Sequence, residues 1–345
     1  MLKQGNDLHT AEPNAAQTAS PEPGSSARRK LRTLVCAVIL IAFFGWAGWY
    51  GYRHRQEFLI LGEAPWWSVV ALAAASAATI YCNGLYIKFV LQAFGVDLPA
   101  KEWLSLTVAT SILNFLSPMR GGSAMRAVYL KARYRFSFTD FFSSLGAMYL
   151  MYGFVHACMG LCGAALLWGS SIHPPLPLTA FFGAVAVISI LLMTVPIRVP
   201  WPETFGFRQL ARILEGWGLL RRNSRVFAWL MVVTVLYALL SVVQFKIAFF
   251  GIGAPVQWGA IMLYTAGQGL AMLITITPGA LGVAEWTGVY LGVILSCTPA
   301  QVLLIQLLVR ATYISVLFLA SPFVGRFLVA AQTQPTPSAT PRGNA

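Results

Sequence analysis

The sequence predicts an all-α polytopic membrane protein, built as an inverted repeat with about six full spans and two broken helical hairpins. Hydrophobic residues make up 57% of the 345 residues and charged residues 10%, which excludes an ordinary soluble domain. The mean hydropathy of +0.68 agrees. Two long apolar runs, one in each half of the chain, are broken by proline and glycine beside ionisable residues.

The two ends of the chain are predicted to be disordered tails, residues 1–32 in the cytoplasm and residues 329–345. The first tail is rich in Ala, Pro and Ser and ends in a basic run. The apolar stretch near 33–52 is interpreted as a retained first span. A cleaved signal peptide is the alternative, but the leader is long and Trp46-Ala-Gly-Trp-Tyr50 is a poor cleavage site.

Five further segments have the about 20 residues that a full span requires. They are residues 66–94, 140–168, 178–196, 226–250 and 301–322.

Two broken hairpins are predicted between these spans. The first covers roughly 102–134. Its descending arm of about 15 residues reaches only about 22 Å, short of a hydrocarbon core of about 30 Å, so we interpret this hairpin as re-entrant. The second covers about 258–297 and is more apolar, so it is either a full pair of spans or a deeper re-entrant loop.

The two breaks indicate an internal repeat. The first reads Pro118-Met-Arg120-Gly121-Gly122 and the second Pro278-Gly279-Ala-Leu-Gly282, with the prolines 160 positions apart (278 − 118). Three full spans separate the hairpins, and an odd number inverts the second copy. We therefore predict repeat one over 33–168 and repeat two over 178–322, with the hairpins meeting near the midplane.

Basic residues indicate the orientation. They cluster at the span ends assigned to the cytoplasm, whereas the opposite side collects only Arg53 and Arg55. Both termini are therefore predicted to be cytoplasmic, in a bacterial-type inner membrane. The net charge of +13 follows from this asymmetry, so we expect no nucleic-acid partner. Residues 197–225 form a basic amphipathic loop, either a helix on the anionic leaflet or a packed connecting helix.

The two breaks resemble the motifs of the lysylphosphatidylglycerol synthase transmembrane region, a flippase-like integral membrane family. The resemblance covers roughly residues 33–328, and it implies a protein that moves or handles polar lipids. No aminoacyl-transferase domain follows residue 330, so we expect no lipid synthesis. The matching residues are Pro118, Gly121, Gly122 and Arg126, then Pro278, Gly279, Gly282, Glu285 and Arg310.

The sequence departs from this family at one point. Many members carry an acidic–arginine pair on the helix after the first hairpin. The repeat offset from Arg310 places that position near Leu150 and Met151, which are both apolar. This departure disfavours a symmetric charge mechanism.

The first break is interpreted as a lipid phosphate site. The Pro118–Gly122 segment exposes backbone N–H groups at the start of the next helix, with Ser123 as a candidate cap. Arg120 and Arg126 then supply charge-assisted hydrogen bonds to the same phosphate. The alternative is that both arginines anchor the hairpin at the membrane surface.

The second break carries Glu285, and a buried carboxylate needs a partner. Arg310 on the next helix is the expected one. The pair is either a structural ion pair or a gate in which Glu285 exchanges Arg310 for a cationic head group.

These residues favour a lipid translocase that is not an enzyme and needs no cofactor or metal. Membrane lipids with an anionic head group are the expected partners. The alternatives are an integral membrane transferase acting on a lipid-linked substrate, or a membrane scaffold that recruits a lipid-synthesis enzyme.

Overall fold

The computed structural model describes residues 65–117, 120–195, 218, 223–274 and 277–332. The predicted span near 33–52, the tail 1–32 and nearly all of the amphipathic loop 197–225 lie outside these residues, so those predictions stay open. The tail predicted over 329–345 starts too early. Its first four residues continue the last helix, because the apolar run Phe327-Leu-Val-Ala-Ala contains no helix breaker.

The described part of the chain contains nine α-helices, one short 3₁₀-helix and no strand. The helices are α1 (Trp66–Ala93), α2 (Ala100–Leu116), α3 (Gly121–Tyr134), α4 (Phe138–Leu166), α5 (Leu176–Thr194), α6 (Ser224–Gly251), α7 (Trp258–Ala271), α8 (Val283–Ile294) and α9 (Pro299–Gln332), with the 3₁₀-helix at Pro278–Ala280 before α8.

The predicted all-α membrane architecture is confirmed. Five of the described helices are long and apolar enough to cross a membrane, namely α1, α4, α5, α6 and residues Pro299–Pro322 of α9. They match the five predicted spans after residue 65. Their outer faces carry large exposed apolar side chains such as Val232 and Leu319, as expected of helices that contact lipid.

Both hairpins consist of short arms. In the first, α2 has 17 residues and α3 has 14. In the second, α7 has 14 residues and α8 has 12. Helices of 14 and 12 residues extend about 21 and 18 Å, less than a core of about 30 Å. The alternative that 258–297 forms two full spans is therefore wrong, because the break at 272–282 divides the segment into two pieces that are each too short.

The order of helices repeats along the chain. A long helix, two short arms and a second long helix make up α1–α4, and the same order makes up α6–α9, with α5 between them. Both α6 and α7 begin 158 positions after their counterparts (224 − 66 and 258 − 100). The repeated sequence pattern therefore corresponds to a repeated order of helices.

The first helices of the two halves are antiparallel, as an inverted second copy requires. The ring of Trp67, near the start of α1, and the ring of Phe250, near the end of α6, have centroids 5.6 Å apart. Phe89, near the end of α1, stacks at 5.7 Å on Trp229, near the start of α6. Between these contacts, the side-chain amide of Gln244 donates a hydrogen bond of 2.7 Å to the Ser76 hydroxyl.

Each hairpin packs against the last long helix of the other half. On one side, α7 crosses α4 so closely that a Cβ on Gly163 would lie 2.7 Å from the backbone oxygen of Gly259. On the other side, α2 packs on α9, where the rings of Phe115 and Tyr313 lie 5.8 Å apart. The two hairpins are thus held between the halves.

The base of the first hairpin contains a buried carboxylate that the sequence analysis missed. Glu102 is 5% exposed. It accepts hydrogen bonds from the Tyr129 hydroxyl (2.5 Å), the Arg133 Nε (3.0 Å) and the Tyr134 hydroxyl (2.8 Å). These contacts fasten α3 to α2 and satisfy one of the basic residues on the returning arm.

The Gly122→Ala substitution is expected to destabilise the protein by about 1–3 kcal/mol, as overpacking does. A Cβ on Gly122 would lie 2.0 Å from the backbone oxygen of Thr110, so α2 and α3 would have to separate. Thermal unfolding in detergent measures the effect. Gly183→Ala in α5 is the matched control, because a Cβ there meets nothing within 4 Å. Equal stability of the two variants would contradict the close packing.

Candidate functional site

Arg120 joins the two breaks. It is the N-cap residue of α3 and adopts a left-handed backbone conformation (φ 54°), which is uncommon for a residue other than glycine. Its guanidinium donates one hydrogen bond to the Tyr149 hydroxyl on α4 and another, of 2.6 Å, to the backbone oxygen of Met272 at the end of α7. The first break of the chain therefore contacts the second.

Ser123 does not cap α3, so this prediction is wrong. The helix already begins at Gly121, and its N-cap residue makes no capping hydrogen bond through its side chain. Ser123 therefore lies inside the first turn, where its backbone N–H donates to the side-chain oxygen of Asn114 on α2 (3.2 Å). That hydrogen bond ties the two arms of the hairpin together.

Arg126 is a buried residue of α3, a few positions after the first break. Its side chain is 8% exposed and lies over the ring of Phe141, 5.3 Å from the centroid. It borders a small pocket of about 20 Å³ that shares Tyr86 and Met148 with the larger cavity described below. A shared phosphate contact of Arg120 and Arg126 stays a prediction, since only Arg120 lines the larger cavity.

The second break is organised around the expected ion pair. The Glu285 and Arg310 side chains are 14% and 15% exposed, and Glu285 Oε1 lies 2.9 Å from Arg310 Nη1. Glu285 Oε2 also accepts a 2.6 Å hydrogen bond from the backbone N–H of Gly282. Arg310 Nη2 donates to the backbone oxygen of Gly279 at 3.3 Å. The pair thus fixes the turn between α7 and α8.

Two glycines allow this turn. Gly279 and Gly282 have φ angles of 58° and 87°, which residues with a side chain rarely adopt. A Cβ on Gly279 would also lie 2.9 Å from the ring of Phe115 at the end of α2. The second break therefore contacts the first hairpin, just as Arg120 contacts the second.

A cavity of about 330 Å³ lies where the breaks meet. Side chains from both halves line it. The charged lining residues are Arg120 and Arg310, and no carboxylate belongs to the described lining. Its amide-bearing and phenolic residues are Asn83, Asn114, Gln244, Gln268, Gln306, Tyr86, Tyr149, Tyr152, Tyr237 and Tyr313.

The structure brings together only part of the predicted site. Arg120, Gly279 and Arg310 line the cavity. Glu285 does not line it but forms the ion pair with Arg310. Pro118 and the side chain of Pro278 lie outside what the structure describes. The described predicted residues that do not line the cavity are Gly121, Gly122, Ser123, Arg126, Gly282 and Glu285.

The counterpart of Arg310 in the first half is Tyr149. The offset of 160 between the prolines pointed to Leu150 and Met151, but α4 and α9 begin 161 positions apart (299 − 138). The position equivalent to Arg310 is therefore Tyr149, which binds Arg120. One half has an ion pair at this place, and the other has an arginine–tyrosine hydrogen bond.

Most polar residues of the cavity were not predicted as part of the site; Asn114, Gln244, Gln268 and Gln306 are expected from the sequence to pack or hydrogen-bond between helices. Gln268 and Gln306 are buried, and the side-chain amide of each donates to the backbone oxygen of Ala284, at 3.0 and 2.9 Å. The available signal was an amide side chain within an apolar span, which is costly unless it is satisfied. Within the described residues, no group of three or more His, Cys, Asp or Glu side chains is arranged to hold a metal ion.

The family described as the lysylphosphatidylglycerol synthase TM region matches residues 32–321, a range that includes both hairpins. The chain belongs to this family. No curated protein and no solved structure matches it. Membership identifies a membrane protein that handles lipids, in agreement with the resemblance of the two break motifs.

Proposed function

We propose that this protein translocates a polar lipid between the two leaflets, with the lipid head group in the central cavity. The main support is the lining of that cavity. Arg120 belongs to the first break, and Arg310 on α9 contacts the second break. Both line the same cavity within the membrane-spanning part of the chain. Polar and charged groups at such depth are costly and typically serve a transport pathway.

The chemistry of the lining favours an anionic head group. Guanidinium groups bind phosphate oxygens through charge-assisted hydrogen bonds, and these strengthen where water is excluded. Several tyrosine hydroxyls and side-chain amides surround the two arginines. The volume of about 330 Å³ suits a head group, and the acyl chains would stay in the bilayer.

The contacts between the breaks provide a mechanism for alternating access. Arg120 holds the end of α7, and Gly279 packs against Phe115. Each contact joins a short arm of one half to the other half. Opening the cavity toward one leaflet would separate one contact while the other remains, as expected for paired inverted units that move about a central site.

The proposed orientation places both termini in the cytoplasm of a bacterial-type inner membrane. It rests on the distribution of Lys and Arg along the chain. In this arrangement the first hairpin enters from the cytoplasmic face and the second from the opposite face.

Purified protein in vesicles that contain a trace of tail-labelled phosphatidylglycerol tests the function. Translocation is followed by the fraction of label that a membrane-impermeant reductant reaches with time. We expect reconstituted protein to raise the rate above that of empty vesicles. Chemical conversion of the lipid would favour the transferase alternative, and neither movement nor conversion would favour the scaffold.

A further inference from the structure

A buried histidine with one unused ring nitrogen lines the cavity. His156 lies on α4, and its side chain is fully buried. Its Nε2 has no hydrogen-bond partner among the residues that the structure describes. An unsatisfied buried polar atom destabilises a native protein, so a ligand group that hydrogen-bonds to Nε2 would account for this unpaired nitrogen.

The hydrogen bond of the other ring nitrogen defines what Nε2 offers. His156 Nδ1 lies 2.9 Å from the backbone oxygen of Tyr152. A carbonyl oxygen only accepts hydrogen bonds, so Nδ1 carries the proton in this contact. In the neutral ring Nε2 is therefore a hydrogen-bond acceptor, and the matching group on a ligand is a hydrogen-bond donor.

The ring is held rigidly. It stacks on Tyr152 with centroids 3.8 Å apart. On α7 it lies against Gly269, where a Cβ would come within 2.0 Å of the ring carbon Cδ2 and 2.4 Å of Nε2. A fixed acceptor loses little entropy when a ligand binds.

The acceptor and the anion-binding end lie on one face of α4. Tyr149, Tyr152 and His156 all line the cavity, and their spacing places them on successive turns. Tyr149, which binds Arg120, and His156 are seven positions apart, or about 10 Å along the helix axis. The packing of α7 covers Nε2 in this conformation, so a head group held by the guanidinium donors at one end would reach the ring acceptor at the other when the contact between α4 and α7 opens.

We propose that His156 Nε2 accepts a hydrogen bond from a hydroxyl group of the transported head group. The favoured substrate is an anionic lipid that bears a hydroxyl beyond its phosphate. This inference rests on the proposed function and specifies the substrate class of the same cavity. His156 acts as a specificity-determining residue that contacts the substrate.

Two labelled lipids of equal charge test this inference. Phosphatidylglycerol has hydroxyls beyond the phosphate, and phosphatidylmethanol has none. Their translocation rates are measured in parallel with one preparation of vesicles, so that their ratio does not depend on the amount of active protein. Wild-type protein is expected to move phosphatidylglycerol about three- to tenfold faster, the effect of one net hydrogen bond.

Variants assign the preference to the ring nitrogen. His156→Phe is expected to bring the ratio to about one, because a phenyl ring lacks the acceptor. His156→Gln, which keeps an acceptor oxygen, is expected to retain part of the preference. The control is His173→Phe, since His173 is an exposed residue between α4 and α5. It is expected to keep the wild-type ratio.

The outcomes separate the two proposals. If wild-type protein moves neither lipid, the proposed translocase function is overturned. If it moves both at equal rates, translocation stands and the role of His156 is overturned, even where the Phe variant fails to fold. An unchanged preference in a folded His156→Phe protein would also contradict it.

Discussion

Arg120→Ala is expected to slow translocation of phosphatidylglycerol by about 10- to 100-fold, as the loss of hydrogen bonds from a charged group implies. The variant removes a guanidinium from the cavity lining and also breaks the contacts with Tyr149 and Met272. Alanine carries the same backbone cost as arginine in the left-handed conformation, so the change acts mainly through the side chain. The vesicle assay measures it.

Arg225→Ala is the matched control, because it removes the same charge from an exposed position at the start of α6. We expect it to keep the wild-type rate. Arg120→Lys separates charge from geometry, since an ammonium retains the charge but lacks the planar fork of guanidinium donors. Wild-type translocation by Arg120→Ala would contradict a role of this cavity in binding the head group.

Glu285→Ala is expected to destabilise the protein by about 2–3 kcal/mol, because removing one partner leaves the other charge buried. The expected value is at the lower end for buried pairs, since both side chains retain some exposure and solvent screens them. The variant also removes the acceptor of the Gly282 N–H. Chemical denaturation in detergent, followed by tryptophan fluorescence, measures the loss.

The double variant Glu285→Gln with Arg310→Gln separates stability from function. Two neutral amides leave no charge buried, so we expect most of the stability to return. Translocation is expected to stay low, because one of the two guanidiniums among the described lining residues is lost. If the effects of the two substitutions on stability simply add, the side chains are not coupled. Full translocation by the stable double variant would mean that Arg310 serves structure alone.

The outline of the fold was readable from the sequence for a simple physical reason. Proline and glycine inside an apolar run interrupt the helix, and such interruptions survive in a membrane only where protein or a polar cavity covers them. Pro118 and Pro278 therefore marked the two hairpins, and the runs beside them gave the spans. The ion pair of Glu285 with Arg310 followed because a buried carboxylate needs a partner.

The equivalent residues of the two halves could not be matched from the sequence, because the offset in residue number between the halves is not constant. The first break is short, with α2 ending at Leu116 and α3 beginning at Gly121, whereas 11 residues separate α7 from α8. The offset accordingly changes from 158 at α7 to 161 at α9. A shift of one residue rotates a helical position by about 100°, so Tyr149 was overlooked in favour of its neighbours.

Cavity residues on the long helices were harder still to find. A helix that is apolar on all sides shows no periodicity that separates its lipid-facing side from its buried side. His156 and Gln244 therefore gave no sign of facing the same space. That relation comes from the packing of α4 on α7 and of α1 on α6.

The central claim is that two inverted halves enclose this cavity, and the sidedness of their equivalent loops tests it most directly. Asp97 lies in the exposed loop between α1 and α2, and Gln257 in the equivalent loop between α6 and α7. In a background with all five cysteines replaced by serine, Asp97→Cys and Gln257→Cys are each treated with a membrane-impermeant maleimide on sealed vesicles of known orientation. We predict that the two variants are labelled from opposite sides of the membrane. Labelling of both from the same side would contradict the inverted arrangement.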